Sequence, residues 1–144
     1  MFKTTSTTVT IALFFLALTF STAHASKGKT PESIPGTTKV TAEDIPGLFE
    51  KHDDLVIIDA RIDKDRKGGH IEGSVSLPDV KTTAETFAKA VPSKSTPVLL
   101  YCNGIKCGRS VKSAKNAVKW GYTKVYWFRG GWEEWTQKGM PITK

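Results

Sequence analysis

Two almost continuously apolar runs constrain the fold of this chain more than any other feature. They occupy residues 55–60 (LVIIDA) and 97–102 (PVLLYC). A strand that is covered on both faces reads as an unbroken apolar run, whereas a strand with one solvated face alternates between apolar and polar residues. We therefore predict that both runs are central strands of a mostly parallel sheet.

Helical patterns separate the predicted strands. Weaker strand patterns fall at residues 39–40, 74–77 and 124–127, and helical patterns at residues 44–52, 83–91, 110–120 and 131–139. The clearest helix is the third, because its apolar side chains share one face and its lysines lie away from that face. Strands that alternate with helices predict an α/β fold, with a mostly parallel central sheet and helices on both faces.

The composition is that of one globular domain. Of the 144 residues, 39% are hydrophobic and 24% are charged, which argues against a disordered chain, a collagen or a coiled coil. The formal net charge of +7 favours anionic partners but selects no class of them. Two cysteines are too few for a disulfide framework or for a zinc site with several thiolates.

The first 25 residues predict a signal peptide. Lys3 precedes an uncharged, mostly apolar run at residues 9–20, and Ala23-His24-Ala25 fits the small-x-small pattern of a cleavage site. A helix of that run spans about 18 Å, which is well short of the ~30 Å hydrocarbon core of a membrane. We therefore expect a periplasmic or secreted protein, in an oxidising compartment.

The predicted mature chain has two parts. Residues 26–38 are rich in Ser, Thr, Pro, Gly and charge, and predict a flexible leader. Residues 39–144 carry all the predicted strands and helices and form the predicted domain.

Three notable side chains stand where the two central strands end. Asp59 and Arg61 lie at the end of the first strand, and Cys102 ends the second. Ligands of open parallel sheets gather outside the carboxyl ends of the strands. The sequence therefore predicts a functional site at this edge, with Cys102 as its candidate nucleophile.

A glycine-containing loop joins Cys102 to the next predicted helix. Its backbone N–H groups and the helix N-terminus offer partial positive charge, and Lys106 and Arg109 add full charges. Such surroundings favour the thiolate, which is the nucleophilic form, and would hold a small anion above the sulfur. The predicted anion cradle consists of Asn103, Gly104, Ile105, Lys106, Cys107, Gly108, Arg109 and Ser110.

In this order along the chain, several segments resemble the single-domain rhodanese family. The segments are LVIIDAR at residues 55–61, GHIEGS at 69–74, YCNG at 101–104 with Arg109-Ser110 after it, and GGWEEW at 130–135. The resemblance covers about residues 39–142 and implies a rhodanese-like fold for residues 39–144.

The resemblance implies a sulfurtransferase whose nucleophile is Cys102. In that family the cysteine takes the outer sulfur of a donor such as thiosulfate, forms a persulfide, and passes the sulfur to cyanide or a thiol. The resemblance also implies structural support from Asp59 and His70, and it places Arg61 beside the pocket as a candidate substrate contact. Arg109 is expected to recognise the donor.

The expected partners follow from the sulfurtransferase that the resemblance implies. They are a small anionic sulfur donor and a thiol or cyanide-like acceptor, with a protein thiol as a further candidate. No metal or organic cofactor is implied. The four tryptophans fit packing in the core better than a surface that stacks on bases, so we expect no nucleic acid partner. We also expect no membrane contact after signal cleavage, and a monomer.

Two features of the loop depart from the family pattern. The common loop has four residues between the cysteine and an Arg or small polar residue, whereas the six residues 103–108 separate Cys102 from Arg109. The loop also contains a second cysteine, Cys107. It is either an incidental small side chain or a resolving thiol that closes a disulfide with Cys102.

These departures leave three functions open. The leading one is the sulfurtransferase. The second is a thiol–disulfide redox protein that uses Cys102 and Cys107 as a reversible pair. The third is a non-catalytic module that binds an anion or a protein partner. A phosphatase or an arsenate reductase fits less well, because the interval between Cys102 and Arg109 exceeds theirs too.

Overall fold

Five parallel strands form the centre of the computed structural model, which describes residues 28–144. The predicted signal peptide, residues 1–25, lies outside the described residues. The strands are β1 (Thr37–Val40), β2 (Val56–Asp59), β3 (Val75–Ser76), β4 (Val98–Tyr101) and β5 (Val125–Phe128). The helices are α1 (Ile45–Lys51), α2 (Asp63–Arg66), α3 (Ala84–Ala90), α4 (Arg109–Lys119) and α5 (Gly131–Gln137), and a 3-10 turn spans Asp79–Lys81.

Strand β4 lies in the middle of the sheet, whose order is β1-β5-β4-β2-β3. All four residues of β4 are buried, as its apolar run predicts. The parallel register pairs Asp59 of β2 with Tyr101 of β4. The carboxyl ends of the two strands therefore lie side by side, and the polar residues that follow them meet at one edge.

Helices cover both faces of the sheet. Along β4, Leu100 packs into one core, and Leu99 and Tyr101 pack into the other. Helices α3 and α4 close the first core through Phe87, Val111 and Ala114, and helices α1 and α5 close the second through Ile45, Leu48 and Trp135. The predicted α/β fold, with a mostly parallel sheet and helices on both faces, is confirmed.

The predicted flexible leader differs most from the structure. Ile34 is 2% exposed in the core beside α4, Thr30 is buried, and strand β1 begins at Thr37 rather than at residue 39. The described part of the leader, residues 28–38, is therefore packed against the domain. Its polar composition suggested flexibility, but one apolar side chain and distant hydrogen bonds hold it in place.

Two short elements were not predicted. Helix α2 (Asp63–Arg66) and the 3-10 turn (Asp79–Lys81) contain no buried residue, so neither has an apolar periodicity that sequence can reveal. None of the helices within residues 28–144 combines the length and the apolarity that crossing a membrane requires.

Candidate active site

Cys102 follows directly after β4, at the carboxyl edge of the sheet. A disulfide bond joins it to Cys107, and the Cα atoms of the pair are 6.1 Å apart. The two sides of this disulfide differ in access, because Cys102 is 1% exposed whereas Cys107 is partly exposed. The sequence left the role of Cys107 open, and the structure gives it as the disulfide partner of Cys102.

The loop that runs from Cys102 to helix α4 presents free backbone N–H donors. The N–H of Cys107 donates to the carbonyl oxygen of Gly104 at 2.9 Å and closes a turn. Among residues 28–144, no protein acceptor takes the N–H groups of residues 103–106 or 108–110. Helix α4 begins at Arg109, so its partial positive charge adds to these donors. The predicted anion cradle therefore has unpaired donors with which to hold an anion.

Helix α5 anchors the start of the loop, a role that the sequence did not predict. The N–H groups of Trp132 and Glu133 donate to the carbonyl oxygens of Cys102 and Asn103, both at 2.8 Å. Gly131 has a φ of +56°, and a Cβ atom there would overlap the carbonyl oxygen of Cys102. The two glycines at residues 130–131 are the one sequence signal for this contact, because glycine allows two backbone segments to approach closely.

Two further contacts hold the loop in place. The side chain of Asn103 donates to Asp65 of α2 at 2.8 Å. The carbonyl oxygen of Ile105 accepts from the N–H of Thr30 at 2.7 Å and from its hydroxyl at 3.0 Å. Arg129 in turn holds the leader, since its guanidinium donates to the carbonyl oxygen of Thr30 at 2.9 Å. The leader thus braces the active loop.

A buried ionic cluster lies beneath the loop, around Asp59. The fully buried carboxylate accepts from the guanidinium of Arg61 at 2.7 Å, from Arg66 at 2.9 Å and from the hydroxyl of Tyr101 at 2.6 Å. Burial alone would raise the pKa of Asp59, but the hydrogen bonds from Arg61 and Tyr101 outweigh it and hold the pKa below its ordinary value. Burial, together with the Asp59 charge, raises the pKa of Tyr101 to about 12. The cluster therefore fixes the strand that carries Cys102.

Arg61 belongs to that cluster and does not reach the solvent side of the loop. Its side chain is 0% exposed, and besides Asp59 it donates to the carbonyl oxygen of Gly69 at 2.8 Å. The guanidinium lies 4.5 Å from the ring centre of Trp132, a cation–π distance. This placement corrects the expectation that Arg61 contacts the substrate, because its side chain has no exposed surface and donates to Asp59, Asp65 and Gly69 within the domain.

The two cations predicted to recognise the donor differ in position. Lys106 is exposed. Arg109 has its Nε atom 3.3 Å from a carboxylate oxygen of Asp79 and its Nη1 atom 3.9 Å from the sulfur of Cys107. The Asp79 oxygen is close to Arg109 but makes no well-aligned hydrogen bond with it. Arg109 is therefore only partly neutralised and stands beside the disulfide.

A cavity of about 320 Å³ adjoins the loop between the leader and helix α4. Its lining consists of Gly28, Lys29, Thr30, Pro31, Lys106, Gly108 and Val111. Two of these side chains are cationic, and Gly108 contributes a backbone N–H without a protein acceptor among the described residues. The cavity can therefore receive a small anion next to the loop.

His70 joins residue 143 to the domain through its backbone. Its backbone N–H and carbonyl oxygen pair with Thr143, each at 2.9 Å. Partial burial and the nearby Arg66 lower the pKa of its imidazole. The structural role expected of His70 stays a prediction. In the described part of the chain, no group of three or more His, Cys, Asp or Glu residues is placed to hold a metal ion.

Comparisons with known proteins agree with this architecture. An uncharacterized protein of Buchnera aphidicola is 26% identical over 88 residues, and the thiosulfate sulfurtransferase PspE of Escherichia coli is 36% identical over 69 residues. The matches cover 61% and 47% of this chain. They cover 58% and 62% of the relatives, so the chain spans less than two thirds of the length of each.

A solved structure and a family model extend the comparison. The BH2092 protein of Bacillus halodurans superposes with a TM-score of 0.65 at 23% identity, over 74% of this chain and 76% of that one, which shows a shared fold. The model of the rhodanese-like domain matches residues 41–138. That segment contains the central strands, the cysteine loop and helix α5. The chain belongs to the rhodanese-like domain family.

Proposed function

We propose that this protein is an exported sulfurtransferase that carries sulfane sulfur on Cys102. One observation carries the proposal: Cys102 directly follows the central strand β4 and begins a loop, leading into the N-terminus of helix α4, in which most N–H groups have no protein acceptor among residues 28–144. Membership of the rhodanese-like family supports the reaction class. The similarity to PspE, which is named a thiosulfate sulfurtransferase, supports thiosulfate as the donor. The signal-peptide pattern of residues 1–25 supports export.

The proposed first step is a displacement at sulfur. The thiolate of reduced Cys102 attacks the outer sulfur of thiosulfate, the new S–S bond forms, and the bond between the two thiosulfate sulfurs breaks. Sulfite leaves with the electron pair, and Cys102 holds the outer sulfur as a persulfide anion. An acceptor thiolate or cyanide then takes that sulfur and returns Cys102 to the thiolate.

Backbone donors of the loop stabilise each anion in this sequence. The N–H groups of residues 103–106 and 108–110 are available for the thiolate, the persulfide and the donor oxygens. Arg109 and Lys106 stand at the outer side of the loop, where they attract the dianionic donor. The reaction requires reduction first, because the disulfide with Cys107 occupies the nucleophile.

Turnover of thiosulfate and cyanide tests this function. The reduced protein is mixed with both, and the amounts of sulfite and thiocyanate that form are measured over time. The Cys102→Ser variant should form neither product above background. If the reduced wild-type protein forms no sulfite from thiosulfate, with cyanide or with small thiols as acceptors, the sulfurtransferase proposal is wrong.

The disulfide favours a second candidate, a thiol–disulfide redox protein. In this function a partner dithiol reduces the Cys102–Cys107 bond and is itself oxidised, with no sulfur atom transferred. Cys107→Ser separates the candidates. Sulfite formation that survives the substitution supports the sulfurtransferase. Loss of function together with loss of the reversible disulfide supports the redox protein.

A further inference from the structure

The loop of this protein holds both a nucleophilic sulfur and a second sulfur in bonding contact with it. Cys102 and Cys107 are five positions apart in sequence, and their Cα atoms are 6.1 Å apart. The turn closed by the Cys107 N–H and the Gly104 carbonyl brings the chain back toward Cys102. The six residues between Cys102 and Arg109 leave room for this turn. The loop therefore places the Cys107 thiol where it can react with a persulfide on Cys102.

We propose that Cys107 resolves the Cys102 persulfide, so that the protein reduces thiosulfate to sulfite and sulfide with electrons from a dithiol. The proposal rests on the sulfurtransferase function above and adds the fate of the transferred sulfur. The disulfide seen in the structure is then the product of each turnover.

The resolving step balances within the loop. The Cys107 thiol first passes its proton to the outer sulfur of the persulfide anion, and the resulting Cys107 thiolate attacks Sγ of Cys102. The Cys102–Cys107 bond forms, the bond between Sγ and the sulfane sulfur breaks, and hydrosulfide leaves. The two cysteines are oxidised and the sulfane sulfur is reduced to sulfide. An external dithiol then reduces the disulfide and becomes a cyclic disulfide.

Arg109 is placed to assist Cys107 in this step. Its Nη1 atom lies 3.9 Å from the Cys107 sulfur. A guanidinium at that distance stabilises a thiolate on Cys107 before the attack. The same cation serves the anionic donor in the preceding step, so the loop needs no additional basic residue.

Unequal burial determines how the disulfide is reopened. Cys107 is partly exposed and Cys102 is 1% exposed, so an external dithiol reaches the Cys107 sulfur first. Attack there forms a mixed disulfide on Cys107 and expels Cys102 as the thiolate. The leaving group is thus stabilised by the free N–H groups of the loop. Reduction in this direction regenerates the nucleophile itself.

A single turnover without external thiol tests the proposal. The full-length mature protein is reduced with a phosphine, freed of reductant without oxygen, and mixed with one equivalent of thiosulfate. Sulfite, sulfide and the intact mass are then measured. Wild type should release equal amounts of sulfite and sulfide and end as the disulfide, two hydrogens lighter than the reduced chain.

Cys107→Ser is the informative variant. It should release sulfite but no sulfide, and its mass should rise by one sulfur atom and stay there. If wild type also keeps the added sulfur and releases no sulfide, the resolving role is overturned while the sulfurtransferase function stands. If neither protein releases sulfite, the underlying function fails instead.

Two controls keep the test decisive. Should Cys107→Ser fail to fold, the end state of the wild-type protein, disulfide or persulfide, still decides between the outcomes. Mixing persulfidated Cys107→Ser with reduced Cys102→Ser tests for resolution between chains. Slow or absent sulfide release in that mixture supports resolution within one loop, and release at the wild-type rate would overturn it.

Discussion

The backbone N–H of Trp132 donates to the carbonyl oxygen of Cys102 at 2.8 Å. The first turn of helix α5 therefore holds the residue that carries the proposed chemistry. Gly131 makes the contact possible, because its φ of +56° and its missing side chain let the helix approach the loop. Helix α5 is thus joined by a direct backbone hydrogen bond to the residue that follows the central strand.

Gly131→Ala should strongly destabilise the protein. The substitution adds left-handed backbone strain and an overlap with the Cys102 carbonyl, which together cost roughly 2–5 kcal/mol of unfolding free energy. Urea denaturation measures the cost. Gly139→Ala is a matched control, since Gly139 has a φ of +65° but nothing within 4 Å of the added Cβ. It should cost only about 1–2 kcal/mol, and equal losses for the two variants would contradict the close contact.

Asp59→Asn should cost about 3–5 kcal/mol of unfolding free energy, because it leaves the buried guanidinium of Arg61 without its counter-ion. The pKa of Asp59 is lowered in the folded protein. Its contribution to stability is therefore complete above the unfolded pKa, about 4, and is lost as the pH falls through the folded pKa.

Denaturation curves from neutral to acidic pH check both effects of Asp59→Asn. The variant should lose part of the acid dependence of stability that the wild-type protein has. Asp63→Asn serves as the control, since Asp63 is an exposed carboxylate paired with Lys81, and it should change stability little. An Asp59→Asn protein as stable as the control would show that the cluster does not support the fold.

Ionisation of Tyr101 should lower the free energy of unfolding at alkaline pH. Its pKa is raised to about 12 in the folded protein, above the ordinary value of about 10. The protonated hydroxyl therefore contributes its full share of stability below about pH 10, and this share is lost as the pH rises through about 12. Tyr101→Phe should weaken that alkaline dependence, as measured by urea denaturation across this range. Tyr126→Phe, whose hydroxyl pairs with His52, should retain it.

Arg109→Ala should lower kcat/KM for thiosulfate by about tenfold to a hundredfold, the range expected when a hydrogen bond to a charged group is lost. Steady-state sulfite formation in the presence of a dithiol measures this. Lys115→Ala removes an exposed positive charge from the same helix, away from the loop, and should leave kcat/KM near the wild-type value. Equal losses in both variants would point to net charge rather than to a contact at the loop.

The sequence predicted the elements that depend on local pattern. The buried runs of β2 and β4 and the one-sided apolar face of α4 produced correct positions within one or two residues, because burial leaves a periodic trace along the chain. The same runs placed Asp59 and Cys102 at one edge of the sheet. Parallel register then brings the two strand ends together whatever the loops do.

Contacts between distant parts of the chain could not be predicted. Thr30 meets Ile105 across 75 positions and Arg129 meets Thr30 across 99 positions, so nothing local distinguishes this leader from a flexible one. The burial of Arg61 was missed for a related reason. Its partners include a backbone carbonyl and the Trp132 ring, which sequence does not bring together.

The most direct test of the proposed sulfur transfer follows a single sulfur atom onto Cys102. Reduced Cys107→Ser protein is treated with thiosulfate whose outer sulfur carries a heavy isotope, then alkylated and digested, and its peptides are weighed. The labelled sulfur should appear on the peptide that contains Cys102, with one sulfite released for each label. A Cys102 that is fully alkylated yet carries no label, in a folded protein, would contradict it.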